Sequence, residues 1–222
     1  MFEEMKAALS EKMELQEGDL ALINAQALAE LKAEEVFVFR VAACDDQVDR
    51  DNERFPVETL EKMAEMFVGR TVIMDHRWSA GNQTARIFKA QVEEAEGIHR
   101  LVVSCYMLDN VSNSDTIQAI KGGILKEVSV GCSMGGCRCN ICGNDGWDIE
   151  KCPHFPGQEY EGQICHFDLI DPLDAYELSF VAVPAQPGAG VIKGKKETIG
   201  GWTPAALQKA KARLRIENER WK

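Results

Sequence analysis

Six of the chain's eight cysteines fall between Cys132 and Cys165, so any fold for this sequence must bring several thiols together in a short, polar stretch. The opening segment, MFEEMKAALSEKMELQEG, is acidic where a secretory leader is basic, and it has no uninterrupted apolar run. Nowhere does an apolar stretch approach the ~20 residues needed to span a bilayer. The sequence therefore reads as that of a soluble, intracellular protein. In a reducing compartment, clustered cysteines serve as metal ligands, catalytic groups or small core residues rather than as disulfides.

Within the cluster, Cys139-Asn140-Ile141-Cys142-Gly143 is a CxxC followed by glycine, and Cys152-Pro153-His154 follows a few residues later. Two thiolates on a tight turn plus a second pair can hold tetrahedral Zn²⁺ as a Cys₃His site. Cys139, Cys142, Cys152 and His154 are the expected ligands. Cys137 and Cys165 compete for positions in the set, and Cys132 and His166 stay open. With four protein ligands such a site is closed, so the zinc would be structural. The segment offers few large apolar residues beyond Ile141, Trp147, Ile149 and Phe155 and is expected to need its metal to fold. A thiol oxidoreductase is the third reading of CxxC, but the surrounding βαβ pattern is missing.

The 222 residues can hold one good-sized core, and 45% hydrophobic with 27% charged residues is ordinary globular composition. Residues 1–35 read as helical, in MKAALSEKM and again in AQALAELKAEE. The core then spans 36–192, with the cysteine module inserted at about 132–166. Strands are expected at Val36–Val41, Thr71–Met74, Ala85–Val92, Ile98–Met107, Leu125–Val130 and Tyr176–Val183. Helices are expected at Pro56–Phe67, from its apolar spacing, and at Ser114–Lys121, capped by Ser112 or Ser114. A linker over Gly188–Gly201 leads to a last amphipathic helix opened by Thr203-Pro204, making 193–222 a linker and tail. Short strands with little βαβ alternation predict a mainly β protein with flanking helices (α+β), its strands in an antiparallel sheet or barrel.

Three fragments outside the module set a polar group at or in an apolar strand: Met74-Asp75-His76, Ser129-Val130-Gly131, and Glu177-Leu178-Ser179-Phe180-Val181-Ala182-Val183-Pro184-Ala185. In this order they resemble the prohead (capsid-maturation) serine proteases of tailed bacteriophages, whose fold is similar to herpesvirus assemblin. That family has a histidine after an apolar strand, then S-x-G on a strand, then E-x-S-x-V-x-x-P-A. The turn Asp49-Arg50-Asp51-Asn52-Glu53-Arg54-Phe55 also looks like the family's approach to its first helix. The resemblance covers roughly 36–192, and the cysteine insertion departs from its simplest members.

The resemblance implies an assemblin-like antiparallel β-barrel and a serine endopeptidase. Ser129 would be the nucleophile, His76 the general base and Glu177 the third member, with Asp75 or no acid as the competing view. Backbone N–H groups near Ala185 and Gln186 would supply the oxyanion hole. It further implies cleavage of scaffold and capsid proteins (and of the protease itself) during virion assembly, inside proheads in the host bacterial cytoplasm. Capsid and scaffold proteins are then its partners, and a homo-oligomer is expected.

The alternative is a catalytically silent, zinc-stabilised assembly or scaffold-binding protein of the same fold. A cysteine protease using Cys105 or Cys132 ranks lower, because neither has a base in recognisable context. A zinc-ribbon nucleic-acid binder is disfavoured. The net charge is −11, and the module sets Arg138 and Lys151 against Asp145, Asp148, Glu150, Glu159 and Glu161. No membrane partner is expected.

Overall fold

In the computed structural model the described residues are 15–192. The helix expected at the start of the chain, most of the linker and the Thr203-Pro204 helix lie outside them.

The strands are β1 (Val36–Asp45), β2 (Glu53–Arg54), β3 (Thr71–Met74), β4 (Ala85–Ala95), β5 (Ile98–Leu108), β6 (Val128–Cys139), β7 (Glu159–Tyr160), β8 (Gln163–Ile164), β9 (Phe167–Phe180) and β10 (Gly190–Val191). The helices are α1 (Asp19–Asn24), α2 (Val57–Phe67) and α3 (Ser114–Lys121). The protein is thus mainly β with flanking helices, in agreement with the α+β reading.

The sheet differs from the expected antiparallel barrel. Its strands run β10-β1-β5-β4-β3-β9-β2, with β6 also paired to β9, and β7 and β8 form a separate pair. The ladder is open, and one isolated bridge, Glu127 with Gly190, reaches across between the start of β6 and β10. It is also mixed, because β2 and β3 both run parallel to β9. β2 and β3 flank β9 and run parallel to each other, and α2 is the crossover that joins them. With only two residues, β2 is too short to register as a strand in the sequence pattern, which hid this βαβ unit.

α2 buries Leu60, Met63, Ala64 and Phe67, the apolar stripe read from its spacing. Pro56 stands at its N-cap, and Thr59 Oγ1 donates to Leu169 O at 2.9 Å, tying the helix to β9. Between β4 and β5, Glu96 and Gly97 both have positive φ, the conformation a two-residue hairpin demands.

Several expectations need correction. The helix expected over Ala25–Glu35 is absent beyond a 3₁₀ turn at Ala33–Glu35. The Asn24 amide ends α1 by bonding both Leu31 N (2.8 Å) and Leu31 O (3.1 Å), while Ile23 and Leu31 pack with Val36, Val38 and Phe88. No side chain of Ser112 or Ser114 caps α3; Asn110 caps the preceding 3₁₀ turn instead. The linker expected from Gly188 begins later, because Val191 pairs with Val41 and Ile192 N donates to Arg40 O. Cys132–Cys139, assigned to the module, continues β6 along β9, so the insertion starts at Cys139 and not at Cys132. Among the described residues no helix is long and apolar enough to cross a membrane.

Candidate functional site

β3 ends at Met74, and Arg77 N–H donates back to Met74 O at 3.0 Å. Between them Asp75 (φ 54°) and His76 (φ 52°) both take left-handed backbone, which makes this a type I′ turn. Each costs a non-glycine residue ~1–2 kcal/mol. The surroundings hold the turn: Asp75 N–H donates to Phe180 O (3.0 Å), and Asn82 Nδ2 donates to Met74 O (2.8 Å) and Arg77 O (3.0 Å). The result swings the His76 imidazole over β9, with Nδ1 2.6 Å from Glu177 Oε1. Glu177 is buried (2% exposed), whereas the His76 side chain stays 42% exposed.

In the β6–β9 ladder, Ser129 stands opposite Ser179 and Gly131 opposite Glu177. Alternate residues of a strand share a face, so Ser129, Ser179 and Glu177 lie on the face that carries His76. Ser129 is half-buried. Among the described residues no hydrogen bond joins its hydroxyl to His76. Gly131 explains the S-x-G spacing physically: a Cβ there would sit 2.3 Å from Glu177 Oε1. Only glycine leaves room for the carboxylate. Asp75, the competing acid, points its backbone into the turn while Glu177 meets the imidazole.

Ser179 went unassigned in the sequence. It is fully buried; it accepts from His76 N–H at 3.0 Å and donates to Glu177 Oε2 at 2.7 Å. Its two-residue spacing from Glu177 was the available signal, since that spacing puts both on one face.

A cleft of about 440 Å³ opens beside Ser129. Gly131, Cys132, the Asp49–Glu53 turn, Ala185 and Gln186 bound it; His76 and Glu177 do not. The Gln186 side chain is locked by Asp45 O (2.9 Å), Gln47 O (3.2 Å) and Asp45 N. No hydrogen bond within the described residues engages the N–H of Ala185 or Gln186, the suggested oxyanion donors. Burial raises Asp49 and Glu53 from their ordinary carboxylate values, and repulsion within the Asp49-Asp51-Glu53 turn adds to it. Burial also pushes the Cys132 thiol up to about 11, and raises Cys105 further. Neither setting favours the thiolate, the form that acts as a nucleophile.

At the far end of β6 the cysteine module begins. Gly143, at φ 74°, closes the Cys139–Cys142 turn by donating to Cys139 O at 2.9 Å, and Cys152 N–H donates to Asp148 O at 2.8 Å. These turns converge Cys139, Cys142, Cys152 and His154, whose ligand atoms all lie within 4.8 Å of one another and could hold a metal ion. Cys142 Sγ and Cys152 Sγ are 3.6 Å apart, and His154 Nδ1 lies 3.7 Å from Cys139 Sγ and 3.9 Å from Cys152 Sγ. Metal–sulfur bonds of ~2.3 Å at tetrahedral angles give edges of about 3.8 Å, so the fit is close.

Of the competitors, Cys165 Sγ is 3.8 Å from Cys139 Sγ and stays in reach. Cys137 faces Asp145 Oδ1 at 3.7 Å, and burial pushes its thiol up to about 11. His166 faces Asp168 at 3.6 Å, and Cys132 borders the cleft. Trp147, Ile149 and Phe155 are exposed, so the module has almost no apolar core of its own.

No known protein-family description, curated protein or solved structure matches the chain.

Proposed function

We propose that this chain is a serine endopeptidase of the prohead type, cleaving scaffold and capsid proteins, and itself, during capsid maturation. Ser129 attacks the scissile carbonyl, His76 accepts its proton and returns it to the leaving amine, and Glu177 holds the imidazole. The oxyanion takes its N–H donors near Ala185 and Gln186. Zn²⁺ on the Cys139, Cys142, Cys152 and His154 cluster staples the module and takes no part in the chemistry. The observation that carries the reading is the 2.6 Å contact between His76 Nδ1 and Glu177 Oε1 on the sheet face shared with Ser129. Hydrogen bonds to a nucleophile commonly tighten only once substrate is bound. The missing Ser129–His76 bond is what favours the second reading, a silent assembly protein of the same fold. Intact mass of the wild type and Ser129→Ala, each alone and with the cognate scaffold or capsid protein, decides between them. Cutting by the wild type only supports the protease; no cutting by either, with partner present, leaves the assembly protein.

A further inference from the structure

We infer that Ser179 is a positioning residue that sets which imidazole nitrogen of His76 is free to take a proton. The inference rests on the protease reading for its catalytic meaning, but its structural content stands on the hydrogen bonds alone.

The polarity of the chain of bonds follows from the one group that cannot reverse. The backbone N–H of His76 can only donate, and it donates to Ser179 Oγ at 3.0 Å. The Ser179 hydroxyl, fully buried, must then send its own proton elsewhere, and Glu177 Oε2 at 2.7 Å receives it. A carboxylate has acceptor oxygens only, so with Oε2 pinned by the hydroxyl the group is held with Oε1 turned to His76 Nδ1 at 2.6 Å, where it accepts. Nδ1 therefore carries the hydrogen of the neutral ring, and Nε2 keeps its lone pair. A general base on this face needs that tautomer. The same hydroxyl also braces the left-handed His76 backbone, so one buried oxygen fixes both where the ring sits and how it is protonated.

The charged and titratable neighbours are Glu177 on β9 and Asp75 and Arg77 on the histidine's own turn. Cys132, on β6, stays a neutral thiol near neutral pH because burial raises it, with Glu53 and Glu177 adding to the rise. Among the described residues, the Ser179 hydroxyl is the hydrogen-bond donor recorded on Oε2. Removing the hydroxyl orphans a buried acceptor and the His76 N–H together, and frees the carboxylate to rotate.

The test reads the His76 ring ¹⁵N shifts at alkaline pH in the wild type, Ser179→Ala and Ser179→Thr. The same proteins are assayed on a peptide spanning whatever cut intact mass reveals, with thermal melts as the folding control. The expected result is a single Nδ1–H tautomer in the wild type and Ser179→Thr, and a mixture in Ser179→Ala. The Ser179→Ala kcat should drop about 10²-fold with KM little changed. A wild type carrying its hydrogen on Nε2 overturns the inference even if the alanine variant does not fold, as does a folded Ser179→Ala that keeps one Nδ1–H tautomer. If the tautomer is lost in Ser179→Ala but no protein or peptide is ever cut, Ser179 keeps its positioning role and the protease reading falls alone.

Discussion

Replacing Gly131 by alanine puts the candidate triad under the most direct physical stress. The new Cβ would lie 2.3 Å from Glu177 Oε1, 3.0 Å from its Cδ and 3.3 Å from its Cγ. No relaxation of a few tenths of an ångström clears the first of these, so the carboxylate must turn away. In turning it gives up its contacts to His76 Nδ1 (2.6 Å) and Ser179 Oγ (2.7 Å) while remaining buried. Overpacking costs about 1–3 kcal/mol. A bond to a charged group is worth about 1.5–3 kcal/mol, part of which is recovered where the turned carboxylate meets another donor. A net loss of about 2–4 kcal/mol follows, which for a chain of this size lowers Tm by roughly 5–15 °C. Turnover should fall at least about 10²-fold, because a histidine without its acid samples the wrong tautomer. Thermal melts with zinc present, beside cleavage of the cognate scaffold protein, measure both. A Gly131→Ala protein within about 0.5 kcal/mol of wild type and fully active would refute the claim that Glu177 occupies this space in the working protein.

Three further outcomes follow from the same geometry. Chelation of zinc, or Cys142→Ser, should expose amides of 139–166 to rapid hydrogen exchange while β1, β4 and β5 stay protected, since Trp147, Ile149 and Phe155 give the module no core; uniform protection after metal removal would count against a structural metal. In the cobalt-loaded protein, His154→Ala should change the visible spectrum and weaken metal binding more than Cys165→Ser does; the reverse order would place Cys165 in the set and His154 outside it. Asp49→Asn should melt higher than wild type at neutral pH. Burial raises the folded-state carboxylate above its ordinary 3.8, so the fold binds the proton more tightly than the unfolded chain and loses stability as pH rises through that range. The advantage of the asparagine should vanish as pH falls below the carboxylate range, and a gap that persists in acid would assign the effect to something other than charge.

The local structure was legible because its signals are local. The spacing of Leu60, Met63, Ala64 and Phe67 marks α2, Glu96-Gly97 marks the hairpin, and the crowding of cysteines marks a turn cluster whose four donor atoms converge and could hold a metal ion. The pairing of strands was not legible. β2 is two residues long, and nothing in Glu53-Arg54 says that it lies parallel to Phe167-Asp168 more than a hundred residues away. The antiparallel expectation failed there, because the crossover through α2 sets β2 and β3 parallel to β9.

The candidate triad divides the same way. His76, Ser129 and Glu177 could be nominated from motif order, which fixes only their types and sequence. That His76 meets Glu177, and that Ser179 lies between the histidine's backbone and the acid's second oxygen, depends on β3 and β6 both pairing with β9 in particular registers. Slipping β6 by one residue would turn Ser129 to the opposite face. Sequence by itself determined most of the longer elements and the supply of reactive groups, because those depend on neighbours along the chain. Only tertiary structure decided which groups touch, because register is set by the burial of one face against residues far away in sequence.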